Sequence, residues 1–263
     1  MDELGASPLF VTQFGRGRPL LCLHGIEAHG LRYVGLAARL TDVHVVAPDV
    51  RGHGHSPASG PWTMAQNVAD LAPILESLGP QTVVLGHSYG GLIAWELARA
   101  MPGALAGLVL VDPAIGVSST TAEEGIALSG TNMAWPDERA ALEALLVQRQ
   151  PTAWWAAALE FANALERTED GHLRPIVRKE AVTAGWAQMH EPMRSTSWRG
   201  PTLLLEAALE EGRYVSAASA TAIRDDLGDA LDHRLLDLTH TIPSDHPDLL
   251  AEIVTAFLDK RPR

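Results

Sequence analysis

A serine stands between glycines in the segment Gly-His-Ser-Tyr-Gly at residues 86–90. The segment follows the apolar run QTVVL (81–85) and precedes the helix-like pattern GGLIAWELARAMPG (90–103). A sharp turn between a buried strand and a helix would lift the Ser88 hydroxyl above the sheet, where the helix dipole favours negative charge. In that context the G-x-S-x-G pattern indicates a nucleophilic serine. A glycine-rich turn with an incidental serine is the alternative interpretation.

A base is needed for this chemistry, because a serine hydroxyl becomes a good nucleophile only when a neighbouring group removes its proton. In this strand–turn–helix arrangement the chain order is serine, acid, histidine, so the base is expected after the last strand. The segment THTIPSDHP (239–247) supplies His240 there. His246 precedes the proline that opens the final helix. We therefore predict His240 as the base and interpret His246 as a surface residue.

Two preorganised hydrogen-bond donors are needed for a developing oxyanion. We predict the backbone N–H of Tyr89, the residue after the serine, as one donor. The other is the N–H of Ile26, in the loop after the apolar run LLCLHG (20–25). Glu27 and His29 follow in that loop and are expected to face a pocket. The alternative is that both are solvated loop residues.

The elements that position these residues can be read from hydrophobic patterning. Six short apolar runs without clean alternation predict strands covered on both faces. They are residues 19–25, 42–49, 81–88, 105–113, 201–207 and 232–238. Segments of helical period lie between them, including TMAQNVADLAPILESLG (63–79), for which Thr63 is the expected N-cap, and PDLLAEIVTAFLDK (247–260). This alternation predicts an α/β fold with a doubly wound, mostly parallel sheet, whose ligands bind beyond the carboxyl ends of the strands.

The alternation stops between residues 115 and 198, which hold five of the seven tryptophans and no strand-like run. We interpret residues 115–198 as a helical cap over the active edge of a core formed by residues 1–114 and 199–263. Trp135, Trp154 and Trp186, together with Glu27, are predicted to line a substrate pocket, since aromatic side chains suit apolar ligands. The alternative is that the tryptophans only form the core of the cap itself.

Composition excludes several classes of protein. The 263 residues are 46% hydrophobic and carry a formal net charge of -12, with the acidic residues dispersed. That balance indicates a globular protein and argues against nucleic-acid binding. Cys22, the single cysteine, permits no intrachain disulfide and is expected to be a buried thiol.

Hydropathy and the N-terminal residues bear on location and partners. No apolar stretch reaches the roughly 20 residues that span a bilayer. The N-terminal segment MDELGASPLF lacks the charged-then-apolar order of a secretory signal. We expect a cytoplasmic protein with a small-molecule substrate and with neither a membrane nor a nucleic-acid partner. No feature of the sequence indicates an oligomeric state.

Five segments together resemble the α/β-hydrolase superfamily, and most of all its small esterase and lactonase-like members with a helical cap. They are LHG (23–25), APDVRGHGHS (47–56), GHSYGG (86–91), LVLVDPA (108–114) and THTIPSDHP (239–247). The resemblance covers both flanks of the chain, roughly residues 20–114 and 200–260. It implies cleavage of a carboxylic ester or lactone of an apolar or aromatic small molecule, through a Ser-His-acid triad and an acyl-enzyme, with no cofactor.

The triad acid is the position at which this chain departs from the superfamily pattern. Members commonly carry G-x-x-D just after the strand equivalent to PTLLL (201–205), whereas this chain continues with EAALEEGRYVS (206–216). By count Glu210 takes the place of the acid, with Glu211 adjacent. The second solution in the superfamily is an acid at the end of the strand before the cap, here Asp112. We favour Asp112, because a rigid strand end suits holding an imidazole in one tautomer.

Several rival functions differ in the chemistry that they need. Thioester, carbon–carbon or amide cleavage could use the same triad, and some proteins of this fold are ligand-binding receptors with little turnover. A serine nucleophile argues against epoxide hydrolysis and dehalogenation, which need a carboxylate.

His53 and His55 lack a third ligand at the spacing of a zinc site. No G-x-G-x-x-G follows the first strands, which argues against a Rossmann-type nucleotide binder.

Overall fold

The computed structural model describes residues 5–148, 154–209 and 214–260. Its strands are β1 (Val11–Gly15), β2 (Arg18–Leu23), β3 (Val43–Pro48), β4 (Val83–His87), β5 (Gly107–Val111), β6 (Leu165–Arg167), β7 (Leu173–Pro175), β8 (Thr202–Ala207) and β9 (Leu231–Leu236). Its α-helices are α1 (Val34–Ala37), α2 (Met64–Leu78), α3 (Tyr89–Ala100), α4 (Ser119–Ala127), α5 (Glu138–Gln148), α6 (Trp154–Asn163), α7 (Lys179–His190), α8 (Ala217–Leu227), α9 (Ile242–Asp245) and α10 (Pro247–Asp259). Every helix in these ranges is too short or too polar to cross a bilayer.

Seven strands form the central sheet in the order β1-β3-β2-β4-β5-β8-β9. All neighbouring pairs run parallel except β1 and β3. The predicted α/β fold with a mostly parallel sheet is confirmed, and each of the six predicted strands is present. The seventh strand, β1, was not predicted. It is an edge strand whose residues are half-buried or exposed, so its sequence VTQFG carries no apolar run.

Both faces of the sheet are covered by helices. Along β2, Leu21 and Leu23 belong to one apolar cluster, which includes buried residues of α2, α3 and α7. Leu20 and Cys22 belong to a second cluster on the other face, formed largely with α10. Because successive side chains of a strand point to opposite faces, a strand buried on both sides must be apolar throughout. Thr63 caps α2 as expected, since its hydroxyl oxygen accepts from the Gln66 backbone N–H at 3.2 Å.

The segment between β5 and β8 contains α4, α5, α6 and α7 together with an antiparallel hairpin of β6 and β7. The lack of an apolar run predicted no strand here, and that prediction is wrong. Each strand has only three residues, and Glu166 pairs with Arg174 across the hairpin, with Arg174 Nε 2.9 Å from Glu166 Oε1. Strands this short and this charged leave no hydrophobic pattern to detect.

Candidate active site

Ser88 lies at the turn between β4 and α3 with φ 54° and ψ -121°, a conformation that residues other than glycine rarely adopt. The glycines around it permit the close approach of strand and helix. A Cβ on Gly86 would lie 2.1 Å from the Gly90 carbonyl oxygen, and a Cβ on Gly90 would lie 2.1 Å from the Leu23 carbonyl oxygen. Backbone strain of this kind costs about 1–3 kcal/mol and persists only where surrounding structure enforces it.

The hydrogen bonds around Ser88 supply that enforcement. Its N–H donates to the Val111 carbonyl on β5 at 3.2 Å. Its own carbonyl oxygen accepts from Gly91 N–H at 2.9 Å and from Ala114 N–H at 3.0 Å. The turn is therefore hydrogen-bonded both to its own helix and to the neighbouring strand end. These bonds hold the backbone of Ser88 at the edge of the sheet.

His240 and Asp112 form a hydrogen-bonding contact in which His240 Nδ1 lies 2.5 Å from Asp112 Oδ2. His240 lies in the loop between β9 and α9, and Asp112 directly follows β5. The other carboxylate oxygen of Asp112 accepts from the Ala207 N–H at 3.0 Å. A proton held on Nδ1 by this carboxylate leaves the lone pair on Nε2 to act as a base.

Burial raises the pKa of Asp112 to about 6, an effect that the Ala207 N–H and nearby His87 oppose. The Asp112 carboxyl is therefore largely ionised at neutral pH. Its backbone is also strained, with φ 41°. Glu210 and Glu211, the alternative acids, lie outside the described residues. The geometry favours Asp112, and the role of the acid stays a prediction.

One cavity of about 520 Å³ brings most of the predicted site residues together. Its lining includes Ser88, His240, Ile26, Glu27, His29, Trp135 and Trp186. The side chain of Trp154, a residue of α6, lies outside the described part of the chain. His246 is at the N-cap of α10, where its N–H donates to the Ile242 carbonyl at 2.9 Å.

His24 orients the peptide that is predicted to supply one oxyanion donor. Its Nδ1–H donates to the Gly25 carbonyl at 2.8 Å, and its Nε2 accepts from the Val50 N–H at 2.9 Å. In a trans peptide the N–H points opposite to the C=O, so fixing the Gly25 carbonyl also fixes the Ile26 N–H. A Cβ on Gly25 would lie 3.2 Å from Ser88 Cβ. This peptide therefore passes directly beside the serine.

Tyr89, the source of the second predicted donor, is the first residue of α3. An N–H in the first turn of a helix has no intrahelical acceptor and can bind an anion. The Tyr89 hydroxyl accepts from Asn67 Nδ2 at 2.9 Å and lies 3.3 Å from Gln188 Oε1. The side chain is thus anchored to α2 and α7, which leaves the backbone N–H as the group available near Ser88.

The cavity has a polar wall at the sheet edge and an apolar wall from residues 115–198. The apolar wall includes Leu128, Met133, Trp135, Leu145, Val177 and Trp186. Glu27 connects the two walls, because its Oε2 accepts from the Gly130 N–H at 2.8 Å. Burial lowers the pKa of both His24 and His87, and the positive charge of Arg32 on the polar wall adds a smaller contribution in the same direction.

Two residues that contact His240 were not predicted from the sequence. The Nε2–H of His87 donates to the His240 carbonyl oxygen at 2.8 Å. The ring of Tyr214 stacks on the His240 imidazole, with centroids 3.5 Å apart and planes 19° apart. His87 stands inside the serine motif and could have been considered on that ground. No sequence pattern distinguishes Tyr214.

Three buried histidines make stability depend on pH. Burial lowers the pKa of His24 to about 4 and that of His53 and of His87 to about 3. Each is neutral in the folded state but has a pKa near 6.5 when unfolded, so its contribution is present above pH 6.5 and lost as the pH falls towards the folded pKa. The raised pKa of Asp112 acts in the opposite direction and offsets part of this loss.

We therefore expect the melting temperature to fall steeply between pH 6.5 and 4.5. Each histidine weakens the free energy of unfolding by about 2 kcal/mol at pH 5. Differential scanning calorimetry of wild type, His53→Gln and His55→Gln tests this, since His55 is exposed. His53→Gln should flatten the pH dependence and His55→Gln should not. Equal slopes in all three proteins would contradict the expectation.

The surroundings of His53 and His55 do not resemble a zinc site. His53 is buried, and its ring lies 5.4 Å from that of His24, centroid to centroid. Across the described ranges, no three side chains of the types His, Cys, Asp and Glu come together as a metal site would require.

The chain is similar in sequence to several known proteins. The sequence model of the alpha/beta hydrolase family matches residues 20–253. Lipase LipV of Mycobacterium tuberculosis is 31% identical over 96% of this chain and 98% of its own length. The 2-(acetamidomethylene)succinate hydrolase of Mesorhizobium japonicum is 27% identical over 98% of this chain and 94% of its own.

Two solved structures have the same fold. An E-2-(acetamidomethylene)succinate hydrolase superposes with a TM-score of 0.82 at 22% identity, over 95% of each chain. A marine microorganism esterase superposes with a TM-score of 0.78 at 21% identity, over 96% of this chain and 100% of that chain. At these identities the likeness concerns the fold alone.

Proposed function

The chain belongs to the α/β-hydrolase family, and on that premise we propose that it is a serine hydrolase acting on a carboxylic ester or lactone of an apolar or aromatic small molecule. The observation that carries the proposal is the 2.5 Å contact between His240 Nδ1 and Asp112 Oδ2. It lies at the edge of the cavity that Ser88 also lines. An imidazole oriented by a carboxylate, lining the same cavity as a serine at a strained strand-to-helix turn, has the side chains that acyl transfer needs.

The proposed reaction has two halves. In the first, His240 Nε2 accepts the Ser88 proton while Ser88 Oγ attacks the carbonyl carbon, and the N–H groups of Ile26 and Tyr89 bind the oxyanion. The tetrahedral intermediate then collapses, and the imidazolium protonates the leaving alkoxide. In the second half, His240 deprotonates a water molecule that attacks the acyl-enzyme, and the acid is released with Ser88 restored. Asp112 stabilises the imidazolium in both halves.

The apolar wall supports the proposed substrate class. Trp135, Trp186 and Met133 line the cavity, so part of the tryptophan-rich segment is available to a ligand. Met189 and Trp198 instead belong to the apolar core, where Trp198 Nε1–H donates to the Thr202 hydroxyl at 2.9 Å. We propose residues 115–198 as a cap whose apolar side chains bind the acyl or alcohol part of the substrate.

A panel of p-nitrophenyl esters with acyl chains of different lengths, together with lactones, tests this function. We expect turnover of p-nitrophenyl esters and of lactones, with kcat/KM for a medium-length acyl chain about ten-fold or more above acetate, because each buried methylene contributes about 0.8 kcal/mol. The matched thioester and anilide are the comparison substrates. Turnover of the thioester or anilide without turnover of any ester or lactone would overturn the proposal. Tight binding of ligands without any turnover would indicate a receptor.

A further inference from the structure

Among the described residues, Asp112, His87 and Tyr214 contact the His240 imidazole or lie close to it, and the reaction above assigns a role only to Asp112. Asp112 contacts Nδ1 at the edge of the ring. The ring of His87 lies 4.7 Å from that of His240, centroid to centroid, at an angle of 38°. Tyr214 makes the closest ring contact, 3.5 Å between centroids at 19°. A stacking contact this close covers a face of the imidazole.

The backbone of Tyr214 is held to the strand end that carries the acid. Ile115 N–H donates to the Tyr214 carbonyl at 3.0 Å, and Ser216 N–H donates to the Ile115 carbonyl at 3.2 Å. The Ser216 hydroxyl oxygen in turn accepts from the Ser219 N–H at 3.1 Å and caps α8. Ile115 follows Asp112 by three residues, so one short ladder fixes the spacing between the acid and the stacked ring.

The charge on His240 changes during the reaction, and the contact with Tyr214 responds to it. The face of an aromatic ring carries negative electrostatic potential, so it attracts a cation more strongly than a neutral ring. His240 is neutral before attack and an imidazolium in the tetrahedral intermediate. A contact that strengthens as the charge develops lowers the barrier rather than only tightening binding.

We propose that Tyr214 is a positioning residue that fixes the plane of the His240 imidazole and stabilises its protonated form. The inference rests on the proposed function, since it assigns the stacked ring a part in the same proton transfer. Tyr214 touches the base rather than the reacting atoms. It also lines the cavity, so its substitution must be separated from effects on substrate binding.

Other described groups near His240 come from several elements. Asp112 faces it from the end of β5, and His87 from the end of β4. Burial keeps the pKa of His87 at about 3, so His87 stays neutral and acts as a tether on the His240 backbone. On the polar wall is the positive charge of Arg32, and Asp245 accepts a hydrogen bond from Thr241. Replacing Tyr214 removes none of these groups.

Tyr214→Leu and Tyr214→Phe form the matched pair of variants. Phenylalanine keeps the aromatic face, so kcat should stay within about two-fold of wild type. Leucine removes it, and kcat should fall by about 3- to 30-fold. The acidic limb of the kcat/KM profile should move to lower pH, because a less stabilised imidazolium loses its proton more readily.

Trp135→Leu is the control for loss of an aromatic wall residue. It should change KM and leave the midpoint of the acidic limb in place. If Tyr214→Leu retains the wild-type kcat and pH profile, or if Tyr214→Phe is as impaired as Tyr214→Leu, the inference is wrong while the hydrolase function stands.

A nuclear magnetic resonance titration of the histidine Cε1–H signals supplies a readout that needs no substrate, with His240→Gln to assign the signal. In wild type the His240 signal should lie upfield of the other histidines, because it sits over an aromatic face, and its pKa should drop in Tyr214→Leu. A wild-type signal without that upfield displacement would overturn the inference even if the leucine variant failed to fold. Retained turnover in Ser88→Ala would instead refute the proposed function. The titration would then still test whether Tyr214 stabilises the protonated form of His240.

Discussion

Replacing Ser88 by alanine is expected to lower kcat by about 10⁴-fold or more, because the acyl group then has no nucleophile to which it can transfer. Binding should change little, since the cavity keeps its lining, so the loss should appear in kcat rather than in KM. Steady-state kinetics with the best ester of the panel measures this. Circular dichroism and the melting temperature of the variant show whether the fold is intact.

The control for Ser88→Ala is Ser77→Ala on α2, where the hydroxyl only donates to the Ile74 carbonyl at 2.8 Å. That variant should retain wild-type turnover. Hydrolysis that persists in Ser88→Ala, at a rate above about one per cent of wild type, would mean that another group attacks the substrate or that water is activated directly.

Asp112→Asn is expected to lower kcat by about 10⁴-fold, since the change disturbs the tautomer of the base rather than the shape of the site. The amide oxygen can still accept from the Ala207 N–H, as the carboxylate does at 3.0 Å. The amide NH₂ then faces His240 Nδ1 and donates to it. The imidazole must hold its proton on Nε2, where it can no longer accept one from Ser88.

Glu210→Gln is the matched comparison, and its kcat should stay within a few-fold of wild type. Both variants replace one carboxylate by its amide, so they differ only in which acid they remove. If Glu210→Gln loses turnover and Asp112→Asn keeps it, the triad acid is Glu210. The 2.5 Å contact between Asp112 and His240 would then describe a resting arrangement only.

Backbone strain is concentrated around the cavity. Among the described residues, positive φ angles at non-glycine positions occur at Glu27, Asp42, Ser88 and Asp112. Glu27 lies in the loop that is proposed to supply an oxyanion donor, Ser88 is at the turn between β4 and α3, and Asp112 is the proposed triad acid. Such conformations are held by surrounding structure. They are typical of functional sites, where a side chain must keep one fixed orientation.

The serine turn could be predicted from sequence because its requirements are local. Gly86 and Gly90 are the residues that a close strand–helix approach demands, and they stand beside Ser88 in the chain. Strands β2, β3, β4, β5 and β8 were predictable for a similar reason, since they are largely buried and both faces of each must be apolar. The edge strand β1 and the hairpin of β6 and β7 satisfy fewer constraints, and their sequences are correspondingly uninformative.

The identity of the triad acid and of the groups around His240 could not be predicted from local sequence requirements. Asp112 and Glu210 both satisfy the chain order, and the distance to His240 depends on how β5, β8 and β9 are aligned in the sheet. Tyr214 reaches His240 only because its segment pairs with the residues after Asp112. Contacts of this kind depend on register between distant segments, which hydrophobic periodicity does not encode.

The role of the tryptophans also could not be decided from the sequence. Composition alone left two interpretations of the tryptophans in residues 115–198, as pocket residues or as apolar core. The structure divides them, with Trp135 and Trp186 lining the cavity and Trp198 buried against the core. Trp186 belongs to both groups, which a pattern of residue types could not reveal.

Peptide mapping by mass spectrometry after reaction with a fluorophosphonate tests the central claim most directly, since such a reagent phosphonylates a serine that a neighbouring base activates. We predict one adduct per chain, on the peptide that contains Ser88, with a labelling rate at least about 100-fold lower in His240→Gln. An adduct on a different serine, or equal labelling rates in wild type and His240→Gln, would contradict the pairing of this hydroxyl with this imidazole.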